Sequence, residues 1–327
     1  MCQNGVQRDE QLVKWAAAHG ARTPGLCIRA DAAGERGVVA PEALAPRSEI
    51  LRVPRHLLTT DADARVRYWP LRAAIRSEAT KPNGLRLHER VELQLILFIV
   101  LDRARVDREK ACVPEEDDDI RPPPWMYRQF EGDEDALDDV LSIAPWYAST
   151  PQAFEQTPMS WPDEALEALL PPSRVATAHA QRAECDALRS LLRSIAPIAL
   201  RKAEHAWSRA DRWADPVLWA YAAVRSRAFS VVIQGKNRCA LVPLADLLNH
   251  AAEGEVNADW KFNDTSGTQG EFIMRASRSV ASGAQLFDRC AIAVPPAKRV
   301  YRGQVYLKAV PECEIYMPKR VRRESRI

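Results

Sequence analysis

The sequence predicts an α+β fold: a strand-rich core split in two by a long, mostly helical insertion. Two observations carry that prediction. Short apolar segments bounded by turn residues crowd near both ends of the chain, and helical periodicity fills about the middle half between them. A third observation bounds the class. At 327 residues, with 46% hydrophobic and 28% charged residues, the chain is long enough for two domains, or for one with a large insertion.

The elements follow in order. Residues 9–20, DEQLVKWAAAHG, predict a helix with Asp9 as its N-cap and Gly20 closing its C-terminus. GLCIRA, GVVA and EILRVP (25–30, 37–40, 49–54) then alternate with turn residues, an antiparallel β pattern. ERVELQLILFIVLDRAR (89–105) is apolar on nearly every side at its centre and predicts a buried helix. Two acidic stretches, EEDDD at 115–119 and EGDEDALDD at 131–139, read as solvated loops. A helical stretch is expected from 163 to about 213, capped by Asp163 and broken at Pro197. Another begins at Asp215, its cap, with Pro216 in the first helical position. CALVPL, ADWKF and GEFIMRA return the chain to short strands between 238 and 288.

Several function classes lose support at this level. The net charge of +2 gives no whole-molecule reason to expect nucleic acid or an anionic membrane as partner. The most apolar run, LILFIVL at 95–101, is far short of the ~20 residues that span a bilayer. Neither a G-x-G-x-x-G nor a P-loop occurs. The seven cysteines are dispersed and include no C-x-x-C, so no zinc cluster or other metal is expected. With no apolar leader in MCQNGVQRDE, they read as reduced thiols of an intracellular protein, cytoplasmic or nuclear.

PLADLLNH (243–250) is the unusual segment. Asp246, Asn249 and His250 sit where the apolar pattern predicts burial, and an unpaired buried polar group costs on the order of 1–3 kcal/mol. Together with ERGVVA (35–40), VRSRAF (224–229) and ASGAQLF (281–287), that segment resembles the SET-domain methyltransferases. The nearer likeness is to the Rubisco large-subunit methyltransferase-like branch, whose SET core carries a helical insertion. PWYASTPQAFEQTPMSW (145–161) is similar to a segment of that insertion. The likeness runs from about residue 9 to 287.

The resemblance implies a pseudo-knotted SET core: residues 1–60 as the N-terminal helix and first part, and 216–290 as the second part. It leaves 61–215 as the insertion and 291–327 as a divergent basic tail. It also implies S-adenosyl-L-methionine as cofactor and a lysine of a protein substrate as methyl acceptor. Gly34, Glu35 and Arg36 would lie along the cofactor, with Gly37 permitting close approach because it lacks a Cβ. Arg227 would reach the carboxylate of the methionyl moiety, with Asn249 and His250 beneath the cofactor. Asp246 would line the substrate side, or else be a buried acid bonded to backbone N–H groups. Phe229 and Trp260 would desolvate the acceptor amine, or simply fill the core. Phe229 favours lysine over histidine as acceptor.

The likeness stops after Phe287. The family's catalytic tyrosine follows the last SET strand, and LFDRCAIAVPPAKRV puts Cys290 in its place. A thiol is a weak donor and reaches less far than a phenol. Tyr301 and Tyr306 have no spacing that recommends either as substitute. The tail ending PKRVRRESRI does not resemble the branch's helical C-terminal substrate-binding domain. Three readings stay open at this level: an active protein-lysine methyltransferase with a rearranged end, a pseudoenzyme or interaction scaffold that keeps the cofactor site, and a misread last exon. The oligomeric state is not legible.

Overall fold

The structure is a computed structural model. It describes residues 2–30, 36–63, 68–76, 85–110, 143–154, 157–208, 215–251, 254–264, 270–289, 300–301 and 304–305. The acidic stretches at 115–119 and 131–139, Gly34, Glu35, Cys290 and Tyr306 lie outside the described residues. Tyr301 falls in a two-residue strand, Val300–Tyr301.

Helix α1, Cys2–Ala18, starts earlier than its sequence predicts. Asp9 is therefore in mid-helix and buried, not an N-cap. The apolar periodicity starts only at Leu12, which is why the polar first turns escape a pattern-based reading. Gly20 does close the helix, with a φ of +92° that a side chain would oppose.

Strands β1 (Cys27–Ala30) and β2 (Arg36–Val39) form an antiparallel hairpin. Strand β3 (Glu49–Pro54) pairs instead with β9 (Glu271–Ala276), and β9 also pairs with β8 (Ala258–Asn263). The short strand β4 (Thr59–Thr60) pairs with β6 (Lys236–Leu241), which pairs in turn with β5 (Phe229–Ile233). Strands from the two ends of the sequence thus share sheets, as expected of one core interrupted by an insertion.

The closing strands are threaded. Strand β10 (Phe287–Arg289) runs parallel to β7 (Asn249–Ala251). Just before it, Leu286 N–H donates to Val38 C=O, and Ala40 N–H donates to Ala284 C=O. Residues 284–289 therefore lie against β2 first and β7 next, the arrangement of a pseudo-knotted core. Asn257 fastens this crossing, donating from Nδ2 to Gln285 C=O and accepting from Phe287 N–H, both at 2.8 Å.

Helices occupy the interval between β4 and β5. Helix α2 (Trp69–Arg76) precedes α3 (Val91–Lys110), whose residues 93–101 are all buried, as its all-round apolar sequence predicts. Asp102 on α3 is buried but satisfied, accepting from Tyr68 Oη, Tyr147 Oη and the Arg105 guanidinium. Helix α4 (Ala144–Ser149) follows.

The stretch from 163 is three helices, with the expected break at Pro197 and a further one at Pro171–Pro172. Helix α5 is Asp163–Leu169, α6 is Pro172–Ile195 and α7 is Pro197–Ser208. Prolines at 171, 172 and 197 enforce the breaks, since each removes a donor and restricts the residue before it. Pro162, not Asp163, occupies the N-cap of α5, and Asp163 pairs with Arg182. Helix α8 (Pro216–Arg227) has the expected cap: Asp215 accepts from Val217 N–H and Leu218 N–H. It packs on α3 and leads directly into β5.

Candidate functional site

The motifs singled out in the sequence converge where α1, β2, α4, α8 and β7 meet. Arg36 opens β2 and is held at both ends. Its Nη1 donates to Asp9 Oδ1 at 2.8 Å and to Ser149 C=O at 2.7 Å. Its carbonyl accepts from Asn249 Nδ2 at 3.2 Å. One arginine thereby joins the N-terminal helix, the inserted helix α4 and strand β7.

Arg227 ends α8 and turns inward rather than serving the helix dipole. Its Nη1 donates to Asp246 C=O at 2.9 Å and stands 3.4 Å from Asp246 Oδ2. Asp246 sits in a 3₁₀ turn, Ala245–Leu247, reached through Leu244, a buried residue with φ +71°. A bulky residue in that region is strained, and here the strain lies at the residue that aims the turn.

Asp246 is not bonded to backbone N–H groups. Its Oδ2 accepts from Trp146 Nε1 at 2.7 Å, and its Oδ1 is buried with no hydrogen-bond partner among the described residues. Burial pushes its carboxyl above the usual 3.8, while Arg227 and the Trp146 N–H pull the other way. Asp9 behaves similarly, raised by burial and opposed chiefly by Arg36.

Asn249 and His250 are exposed on β7, against the burial that the apolar pattern predicts. They escape burial because only the residues before them, 239–248, belong to the core. Phe287 and Asp288 of β10 stand opposite them. A narrow pocket of about 10 Å³, room for about one water, lies between Arg227, Asp246, Phe229, Leu248 and His250.

Phe229 and Trp260 are brought together: their ring centroids are 5.3 Å apart at 87°, with Phe272 completing an aromatic trio. Phe229 lines the cavity and is buried, while Trp260 is half-buried behind it. The expectation for Gly37 changes. The space its Cβ would need is filled by the Gln285 side chain, 2.6 Å from the ideal Cβ position. The described residues thus place the threaded segment at Gly37.

Sequence reading missed Asp9, Trp146 and Ser149 as parts of this site. Asp9 carried the signature of a cap, and the partners of all three are more than 25 residues away. A patterned segment around Trp146 was the one legible signal, although it gave no hint of the contact with Asp246. Among the described residues, no three His, Cys, Asp or Glu side chains stand together as metal ligands. No described helix is long and apolar enough to cross a membrane.

No protein-family model matches the chain, and no curated protein matches it in sequence. Solved structures do match. The SET domain of LSMT bound to lysine and AdoHcy superposes with a TM-score of 0.56 at 20% identity, over 86% of this chain and 53% of that one. Rubisco LSMT bound to AdoMet gives a TM-score of 0.53 at 21% identity, over 86% and 52%. At such identities the likeness establishes the fold: this chain has the SET-domain fold, and it spans about half the length of those chains.

Proposed function

We propose that this chain binds S-adenosylmethionine in the cleft bounded by Arg36, Arg227, Asn249 and His250, and that its reaction is methyl transfer to a lysine of a protein substrate. The observation that carries the proposal is the pairing of β7 with β10 beside a buried carboxylate oxygen, Asp246 Oδ1, that has no partner among the described residues. Such an oxygen costs on the order of 1–3 kcal/mol unless a ligand supplies a donor. The residues fit a ligand carrying both a carboxylate and an ammonium: Arg227 suits the first, and the exposed Asn249 and the Asp246 wall suit the second. Gly34 and Glu35 would complete the cofactor side next to Arg36. LSMT structures hold AdoHcy, AdoMet and lysine, which supports the same pairing of ligands here.

When bound, the cofactor supplies an electrophilic methyl on a sulfonium. The chain's own residues must present a neutral amine in line with it. A lysine with an ordinary pKa of about 10.4 loses its proton more readily in an apolar setting. Phe229, with Trp260 and Phe272 behind it, supplies that setting. The dispersed cysteines support a cytoplasmic or nuclear location.

A second reading has one observation in its favour. In the sequence, Cys290 takes the place of the tyrosine that the resemblance implies would orient the amine, and losing one preorganised polar contact near reacting atoms costs about 10²–10³ in rate. That favours a protein that keeps the cofactor and transfers methyl slowly, or not at all. A labelled-methyl assay on lysine-containing extracts, run beside Cys290→Tyr, tests both. Slow or absent transfer by the unmodified chain, rising in the variant, is expected. Robust transfer by the unmodified chain would show that Cys290 is not the position that matters. Cofactor binding without transfer by either protein would favour the scaffold.

A further inference from the structure

We propose that Trp146 is a positioning residue for Asp246, so that the inserted helix α4 sets the orientation and charge of the cleft's carboxylate. The proposal rests on the function given above and adds a residue to it. Trp146 Nε1 approaches Asp246 Oδ2 to 2.7 Å, closer than Arg227 Nη1 at 3.4 Å. The contact fixes which oxygen is spoken for: among the described residues Oδ1 has no hydrogen-bond partner, and Asp246 itself lines the small pocket.

The indole is not free to turn away. It is 1% exposed and packs edge-on against Tyr147, with ring centroids 5.4 Å apart. Tyr147 is itself anchored through its hydroxyl to Asp102 on α3, at 2.9 Å. Three residues further along α4, Ser149 C=O receives Arg36. One short helix of the insertion therefore holds both arms of the cleft: Asp246 with Arg227, and Arg36 with Asn249.

The chemistry of the donor matters. An indole N–H is neutral and cannot ionise, so it steadies the carboxylate without cancelling its charge. The other charged or titratable groups facing Asp246 are Arg227 from α8, Arg36 from β2, Asp9 from α1 and His250 across the cavity on β7. Burial favours the neutral carboxyl, and Arg227 and the indole both oppose it by favouring the ionised form.

The test reads the coupling without any ligand. Carbon-13 carboxyl titrations of the full chain, with the Asp246 signal identified by Asp246→Asn, should show a midpoint about 0.5–1 pH unit higher in Trp146→Phe than in the unmodified chain. Trp219→Phe is the control. Its indole is equally buried but donates to Pro151 C=O, so it should lower stability and leave the midpoint alone. An unchanged midpoint in Trp146→Phe, or an equal shift in Trp219→Phe, would overturn the proposal. Should Trp146→Phe fail to fold, the unmodified chain still decides. The Trp146 indole N–H resonance must follow the Asp246 titration and lose that response in Asp246→Asn, and a flat resonance would refute the coupling.

AdoHcy binding by calorimetry reads the other half separately. Trp146→Phe should bind it about 3- to 10-fold more weakly. Absence of binding by the unmodified chain, with the carboxyl shift intact, would sink the proposed function and leave the positioning of Asp246 standing. Unaltered affinity in Trp146→Phe would contradict the role of Trp146 in the cleft.

Discussion

Asn257 shows how much one side chain can carry in this molecule. It is 6% exposed, and its amide satisfies one backbone carbonyl and one backbone N–H of the threaded segment. Asn257→Ala strands both groups, so urea denaturation should show a loss of roughly 2–4 kcal/mol. A loss within ordinary surface scatter would mean that the crossing is held by other contacts. The sequence offered Asn257 only as a polar residue before a strand, because its partners lie 28 and 30 positions away. Asp9 failed for the same reason: an acid beside a helical pattern reads as a cap when the arginine that pairs with it is 27 residues on. Arg227, Asn249 and Asp246 could be singled out as candidates because they occur in short ordered motifs, and the structure brings them close together. Their hydrogen bonds were not legible, since those depend on how the chain folds back.

Elements were readable wherever local chemistry decides. Asp215 and Pro216 start α8 as written in the sequence, and Asp215→Ala should cost about 1 kcal/mol through the lost cap. A chemical-denaturation midpoint equal to the unmodified chain's would contradict that. Strand β3 makes a prediction in pH. The Arg52 guanidinium beside Glu49 holds that carboxyl below its usual 4.5. A lowered folded value means stability that is present above 4.5 and is lost as the pH falls through the folded value. The melting-temperature deficit of Glu49→Gln should therefore be full at pH 7 and shrink as the pH drops below about 4.5. A deficit independent of pH would show that Arg52 gains nothing from the charge. Asp246 and Asp9 have the opposite sign. Burial raises both, so their contribution is complete below 3.8 and declines as the pH rises through their folded values.

On the scale of the whole molecule, the chain returns to its own beginning. Residues near 50 pair with residues near 273, and those near 60 pair with those near 240, across a helical block. Asp61 pins the start of that block to β6, accepting from Cys239 N–H and from Arg238. The split core was legible because strand and helix patterns differ in period. The joining of α4 to the cleft was not, because nothing local marks Trp146 as a partner of a residue 100 positions later. The proposed function requires that this return build a site for S-adenosylmethionine. Titration calorimetry of the full chain with AdoHcy at neutral pH tests it most directly, beside Arg227→Ala. The account predicts saturable one-to-one binding, weakened in the variant by roughly 1–3 kcal/mol as a charge-assisted contact is lost. Absence of binding by the unmodified chain, or equal binding by Arg227→Ala, would contradict it.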